Sequence, residues 1–195
     1  MDNMKRILSG VIGFPLVVLL FAFSNKYIID AFMAIIAIRS FYEYTKSCKE
    51  KVNIISWVGY VACAFIAFIH IIPNEYIRVV INLMVPIILL ILFMQVIISN
   101  LKWNLNDIAY TFFGIAYIIG FTVFLPILYG TENGKLLVWY IFVSSWGTDI
   151  AAYAIGRKFG RHKFSKVSPN KSIEGCITGV IRCNYFSYFI YSFNK

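Results

Sequence analysis

Charge is scarce in these 195 residues: Asp, Glu, Lys and Arg together make 14% of the chain, against about 25% in an ordinary soluble domain. Acids are the scarcer sign, with nine Asp and Glu against eighteen Lys and Arg and a formal net charge of +9. Hydrophobic residues reach 60% and the mean hydropathy is +0.75, too apolar for a soluble globule, so the chain reads as an integral membrane protein. Metal and redox motifs are missing as well. Cys48, Cys63, Cys176 and Cys183 form no CxxC pair, which argues against a disulfide framework. His70 lies in an apolar run and His162 in a basic one, without an HExxH partner, so neither marks a zinc site. No internal repeat, low-complexity tract or soluble domain is visible. The cations fall in short loops between apolar runs, where they read as topology signals, and no nucleic acid partner is expected.

What is present is a series of apolar runs: Ile7 to Phe23, Tyr27 to Tyr44, Ile54 to Ile72, Ile77 to Ile98, Ile108 to Leu128, and Leu136 to about Ile155. Each holds 17 to 22 residues, near the roughly 20 that a bilayer core requires of a helix. A seventh, weaker run starts near Ser172. The expected fold class is all-α, a polytopic membrane protein of six to seven transmembrane helices. Ala22-Phe23-Ser24 would serve as a signal-peptide cleavage site, but the length of the first run and the runs that follow favour a retained helix. Pro15 and Pro86 lie inside their runs. Gly114 and Gly120 in the fifth read as close helix contacts. Arg39 and Glu43, four residues apart, should pair on one helical face.

With the N-terminus inside, Lys5, Arg6, Arg39, Lys46, Lys49, Lys51, Lys102 and six cations from Arg157 to Lys171 face the cytoplasm. Lys26, Arg78 and Lys135 face out, and thirteen against three is a strong positive-inside bias. The expected location is therefore the cell membrane, multi-pass, with a cytoplasmic N-terminus.

One stretch, Ser144 to Gly175, carries the chemistry. Its apolar helix holds Asp149, and an acid within such a helix marks a functional site because unpaired burial in hydrocarbon is costly. Arg157, Lys158, Arg161, Lys163, Lys166 and Lys171 follow. Helical spacing puts Asp149, Tyr153 and Gly156 on one stripe, with the carboxylate about one and a half turns below the loop. That carboxylate could hold Mg²⁺ through oxygen while substrate phosphates complete the shell. Gly156 and Gly160 would let the chain turn and bring amides to an anion, and Arg157, Arg161 and Lys163 would neutralise phosphate oxygens. Ser168 reads as a helix N-cap with Pro169 at the first helical position, leaving free amides for an anion. Lys171 would bind phosphate, with Glu174 orienting it or assisting a metal. A basic juxtamembrane loop before a capped helix would give the same pattern without catalysis.

The ordered set Asp149-Ile-Ala-Ala-Tyr153, Gly156-Arg157, Gly160 and Ser168-Pro169-Asn170-Lys171-Ser172-Ile-Glu174-Gly175 resembles the phosphatidate cytidylyltransferase (CDP-diacylglycerol synthase) family. Looser likeness runs from Lys5-Arg6-Ile7 to about Gly179 and includes Phe41-Tyr42-Glu43-Tyr44. The resemblance implies a multi-pass enzyme that joins CTP and phosphatidate into CDP-diacylglycerol and pyrophosphate with Mg²⁺. It implies Asp149, Lys171 and Glu174 as catalytic residues, Asp149 also as metal ligand. Gly156, Arg157, Gly160, Arg161, Lys163, Ser168, Pro169 and Ser172 would bind substrate. Expected partners are CTP, phosphatidate and the bilayer, with a homodimer as a candidate assembly. Well past this region the family pattern continues to a signature of Lys-Arg, Lys-Asp, His-Gly-Gly and Asp-Arg elements, and no such signature follows Gly179 here. After Gly179-Val180-Ile181 the chain reads Arg-Cys-Asn-Tyr-Phe-Ser-Tyr. A C-terminally truncated product is therefore expected, with one incomplete domain over 1–180 and an atypical tail over 181–195. The competing readings are an inactive fragment of that enzyme and a membrane transporter or lipid-binding module.

Overall fold

The computed structural model describes residues 2–165, 168 and 171–193. Among these the regular structure is helical, with one isolated bridge between Lys163 and Ser172, and turns and loops join the helices. The helices are α1 (Asp2–Phe23), α2 (Lys26–Cys48), α3 (Ser56–Ala64) followed by a 3-10 segment (Phe65–Ile71), α4 (Asn74–Ile98), α5 (Leu105–Thr122), α6 (Phe124–Tyr129), α7 (Gly134–Phe159) and α8 (Ile173–Phe193). Among the described residues two stretches, Glu75–Ile98 and Leu105–Tyr129, are long and apolar enough to cross a membrane. The chain divides into two compact units, residues 1–135 and 136–195.

Four of the six main runs appear as single helices over roughly their expected spans, and the breaks between helices have local causes. Asn25 caps α2 by accepting the Ile28 amide at 3.0 Å. Asn104 and Asp107 form a reciprocal capping box at the start of α5, with bonds of 2.9 and 3.0 Å. The fifth run splits at Val123 because Pro126 has no N–H to offer the Thr122 carbonyl, while the Thr122 hydroxyl bonds back to Ile118 O at 2.7 Å. The third run is not one α-helix either. After Ala64 it tightens into 3-10 turns, and near their end the His70 amide donates to Asp30 Oδ2 at 3.2 Å.

In the first unit α2 is the central helix, packed against α3, the 3-10 segment, α5 and α6. Its buried face is Ile29, Asp30, Met33, Ala34, Ala37 and Phe41. Glycines let neighbours approach: Phe41 fills the space at Gly59, and the Tyr44 ring fills that at Gly114. Gly120, expected as a second contact, faces open space. Tyr44 donates to Tyr110 O at 2.8 Å, and Tyr129 donates to Ser24 O at 2.7 Å, tying α6 to the end of α1. Arg39 and Glu43 pair at 3.0 Å as expected, but both are well exposed, which limits the pair to about 0.3–0.5 kcal/mol.

One buried polar contact of this unit joins residues that no local sequence pattern connects. Asp30 is fully buried, and its Oδ1 lies 2.7 Å from His70 Nδ1. The opposite ring edge, at Nε2, packs on Gly130, where any Cβ would collide with it. Removing one partner leaves the other polar and buried, at a cost of about 2–5 kcal/mol. Asp30→Ala and His70→Ala are each expected to lower the melting temperature of the detergent-purified protein, and the double variant should lose less than the sum. Additive losses would show that the two groups do not act as a pair.

Candidate active site

The second unit is a helical hairpin whose two arms meet through small residues. A Cβ on Gly175 would come 2.6 Å from Ala152 O and 3.1 Å from Gly156 Cα. One turn further on, a Cβ on Gly179 would come 3.0 Å from the Thr148 methyl and 3.5 Å from Ala152 Cβ. Thr148, Ala152 and Gly156 on α7 thus face Gly175 and Gly179 on α8, each set at four-residue spacing. Deeper along the hairpin, Gly147 is covered by the Arg182 guanidinium, and Ser144 Oγ lies 3.3 Å from Cys183 Sγ.

This packing revises the role expected for the glycines. Gly156 is not a turn residue: α7 continues to Phe159, and Gly156 lies inside it against Ser172 Oγ and Gly175. Gly160 ends the helix, its amide bonded to Gly156 O at 3.1 Å. A side chain there would strike that carbonyl and Ser172. Because α7 is longer than expected, Asp149 lies about 15 Å along the axis from Phe159, nearly three turns rather than one and a half.

The basic stretch is a pinned loop. His162 O accepts the Ile173 amide at 3.0 Å and Lys171 O accepts the Phe164 amide at 2.9 Å, so the two ends pair antiparallel across the Lys163–Ser172 bridge. Glu174 Oε1 sits 2.7 Å from His162 Nδ1 and accepts the His162 amide at 3.2 Å, locking the loop to the first turn of α8. Helix α8 begins at Ile173, not after Ser168. Ser172 is its N-cap: the side chain, buried among Gly156, Gly160 and Gly175, accepts the Gly175 amide at 3.2 Å. Ser168 instead closes a turn, its carbonyl accepting the Lys171 amide at 3.2 Å. Two serines could have capped α8, and Pro169 drew the reading to the wrong one; Pro169 and Lys166 lie outside the described residues.

Asp149 is exposed on its unit, not buried. It borders an open groove of about 470 Å³ with Tyr140, Ile141, Ser144, Ser145, Thr148 and Cys183. The three hydroxyls were not singled out from the sequence, although Ser144, Ser145, Thr148 and Asp149 at i, i+1, i+4 and i+5 share one side of a helix. Tyr153 and Arg157 continue the line from Asp149 at four-residue steps, with Arg157 Nη1 donating to Tyr153 Oη at 3.0 Å. Arg157, Arg161, Lys163 and Lys171 are all exposed. The structure therefore sets a carboxylate–hydroxyl groove and a pinned cationic loop along one helix, nearly three turns apart. Glu174 belongs to the loop's foot and engages His162, a residue first set aside.

Hydrogen bonding from its own backbone amide, then from the His162 ring, draws the Glu174 carboxyl from 4.5 down to about 2. A lowered carboxylate pKa means that the latch is complete above pH 4.5 and is lost as pH falls through about 2. Amide exchange at His162, corrected for its intrinsic pH dependence, should accelerate across that window in the parent. In Glu174→Gln it should be fast and flat. Equal protection in both proteins would show that Glu174 does not hold the loop.

Known proteins are similar to a little under half of this chain. The phosphatidate cytidylyltransferase of Staphylococcus haemolyticus is 38% identical over 94 residues, 47% of this chain and 35% of that protein. The Staphylococcus saprophyticus protein of the same name is 36% identical over 94 residues, with the same two coverages. That of Staphylococcus aureus is 37% identical over 87 residues, 43% of this chain and 32% of its own. The chain thus spans about a third of the length of the curated relatives it matches. No solved structure gives a significant match. The cytidylyltransferase family matches residues 4–195, and with nearly its whole length inside that match the chain belongs to the cytidylyltransferase family.

Proposed function

We propose that this chain serves in the transfer of CMP from CTP to phosphatidate, giving CDP-diacylglycerol and pyrophosphate, in a multi-pass protein of the cell membrane with a cytoplasmic N-terminus. The observation that carries the reading is the α7–α8 hairpin, where the Asp149 groove and the pinned cationic loop lie on one helix and its return. The printed name of the staphylococcal relatives points the same way.

In this reaction an oxygen of the lipid phosphate attacks the α-phosphorus of CTP, and the bond to the β-phosphate breaks to release pyrophosphate. No covalent work falls to the protein, so catalysis consists of positioning and charge stabilisation. Arg157, Arg161, Lys163 and Lys171, exposed on α7 and the loop, would neutralise phosphate oxygens. Ser172, Gly156 and Gly160 act one step back: they close the hairpin and set where the loop stands. Ser168 would hold the backbone that presents Lys171. Glu174 positions the loop through His162.

The donors fit Mg²⁺ in one mode. Among the described residues no cluster of three or more His, Cys, Asp or Glu could cage a metal. Asp149, with Ser144, Ser145 and Thr148 in the same lining, suits an ion shared between one carboxylate, water and substrate phosphates. Such an ion would offset negative charge on the transferred group.

Two measurements test the reading. In the purified protein, CTP with Mg²⁺ should slow acetylation of Lys163 and Lys171 by an amine-reactive reagent, read by mass spectrometry. Asp149→Asn should weaken that protection, and ATP should protect less than CTP. Unchanged labelling of the parent would remove the nucleotide site from this hairpin. In intact cells, single cysteines at Lys49 or Lys163 should escape a membrane-impermeant thiol reagent, and one at Asn133 should react. Labelling at Lys163 from outside would overturn the topology and the cytoplasmic CTP site with it.

A further inference from the structure

The first unit holds a second polar pocket, at the end of α2, to which nothing above assigns a role. It has a volume of about 480 Å³ and is walled by Tyr42, Thr45, Lys46 and Lys49 of α2, with Asn53 and Trp103 across it. Tyr42, Thr45, Lys46 and Lys49 fall at i, i+3, i+4 and i+7, so one helical stripe presents a phenol, a hydroxyl and two ammonium groups together. Their neighbours on α2 point elsewhere. Phe41 is buried on Gly59 and the Tyr44 ring packs on Gly114, so of the Phe41-Tyr42-Glu43-Tyr44 stretch Tyr42 alone lines the pocket. Arg39 lies over the Tyr42 ring at 5.2 Å and pairs with Glu43, whose carboxylate is outside the pocket lining.

The far wall is preorganised by buried groups. Asp107, 2% exposed, accepts the Asn53 amide at 2.9 Å through Oδ1 while its Oδ2 holds Asn104. Thr111, fully buried, donates to Asp107 O and accepts the Ile55 amide at 3.0 Å. The segment from Asn53 to Ser56 is thus anchored to α5 at two amides, and the pocket keeps its shape without a ligand. Two cations that no carboxylate in the lining opposes, set among hydroxyl and amide groups, recognise a phosphate. Tyr42 and Trp103 are the amphipathic rings that favour the headgroup level of a bilayer, and lysines just inside the cytoplasmic face attract anionic lipid.

We propose that this pocket binds the phosphate of an anionic phospholipid of the cytoplasmic leaflet, separately from the α7–α8 site. The assignment rests on the cytoplasmic placement of the loop from Lys46 to Lys51. The same phosphate chemistry could come from a soluble anion, and the experiment separates the two sources.

The purified full chain in neutral detergent micelles is acetylated with an amine-reactive reagent, and labelling at each lysine is followed by mass spectrometry. Micelles carry short-chain phosphatidate, short-chain phosphatidylcholine, or no lipid with inorganic phosphate in solution. Phosphatidate should slow labelling of Lys46 and Lys49 severalfold while Lys26 and Lys135 are unaffected. Lys46→Gln should raise the phosphatidate concentration that protects Lys49 about fivefold, the share of one lysine at an anionic surface, and Lys46→Arg should restore it. Trp103→Ala should weaken protection of both lysines. Asp149→Asn should leave the protection of Lys49 intact, and Lys46→Gln should leave CTP protection of Lys171 intact, so failure here is distinguishable from failure of the nucleotide site. Micelles carry no sidedness, so the result is also independent of the topology test. Absent protection by phosphatidate, or equal protection by phosphatidylcholine, overturns the site. Equal protection by inorganic phosphate overturns the lipid source.

Discussion

The candidate site depends on how closely two backbones can approach. Where α7 and α8 meet, Gly156 faces Gly175 and Ala152 faces Gly179, and a Cβ on Gly175, 2.6 Å from Ala152 O, would force the helices apart. That approach puts the Ser172 side chain under the end of α7, where it caps α8 and fills the space left by Gly156 and Gly160. The cap fixes where the loop rejoins the helix, and Glu174, two residues on, reaches His162. Four cations on or beside the loop then stand on a defined base. In lipid, where burial of apolar surface supplies little drive between helices, such packing and a few hydrogen bonds must carry the association.

The first unit solves the same problem with different means. Its central helix α2 meets Gly59, Gly114 and Gly130 on three neighbours, through Phe41, Tyr44 and, by way of its partner, Asp30. A buried carboxylate against an imidazole costs desolvation that the 2.7 Å contact and the His70 amide offset. Among the described buried side-chain atoms none lacks a hydrogen-bond partner. That is the condition for polar groups to persist inside an apolar bundle.

The proposed site divides into residues that would touch ligand and residues that place them. The glycines of the signature and Ser172 are placed at the helix contact, so their substitution would move the loop rather than remove a phosphate partner. Arg157 lies between the two halves of the site, bonded to Tyr153 one turn from Asp149. Glu174 is likewise a positioning group through His162.

The all-helical class and the positions of the apolar runs were legible from the sequence because each depends on a local pattern of apolar residues; where the third and fifth runs break and where α7 ends and α8 begins were not. Asp149, the basic loop and the family resemblance were legible for the same reason, since residue type and spacing carry them. Three features were decided only in the tertiary structure. Asp30 and His70 are 40 residues apart and become a pair only when the 3-10 segment lies on α2. Ser172 displaced Ser168 as the cap because the former fits beneath Gly156 and Gly160, a fact about another helix. Asp149 proved exposed on its unit, bordering a groove shared with Cys183 of α8, because which face of α7 is covered depends on where α8 crosses it. A periodic pattern states which residues share a face; only the partner helix determines whether that face is a contact, a pocket or a surface.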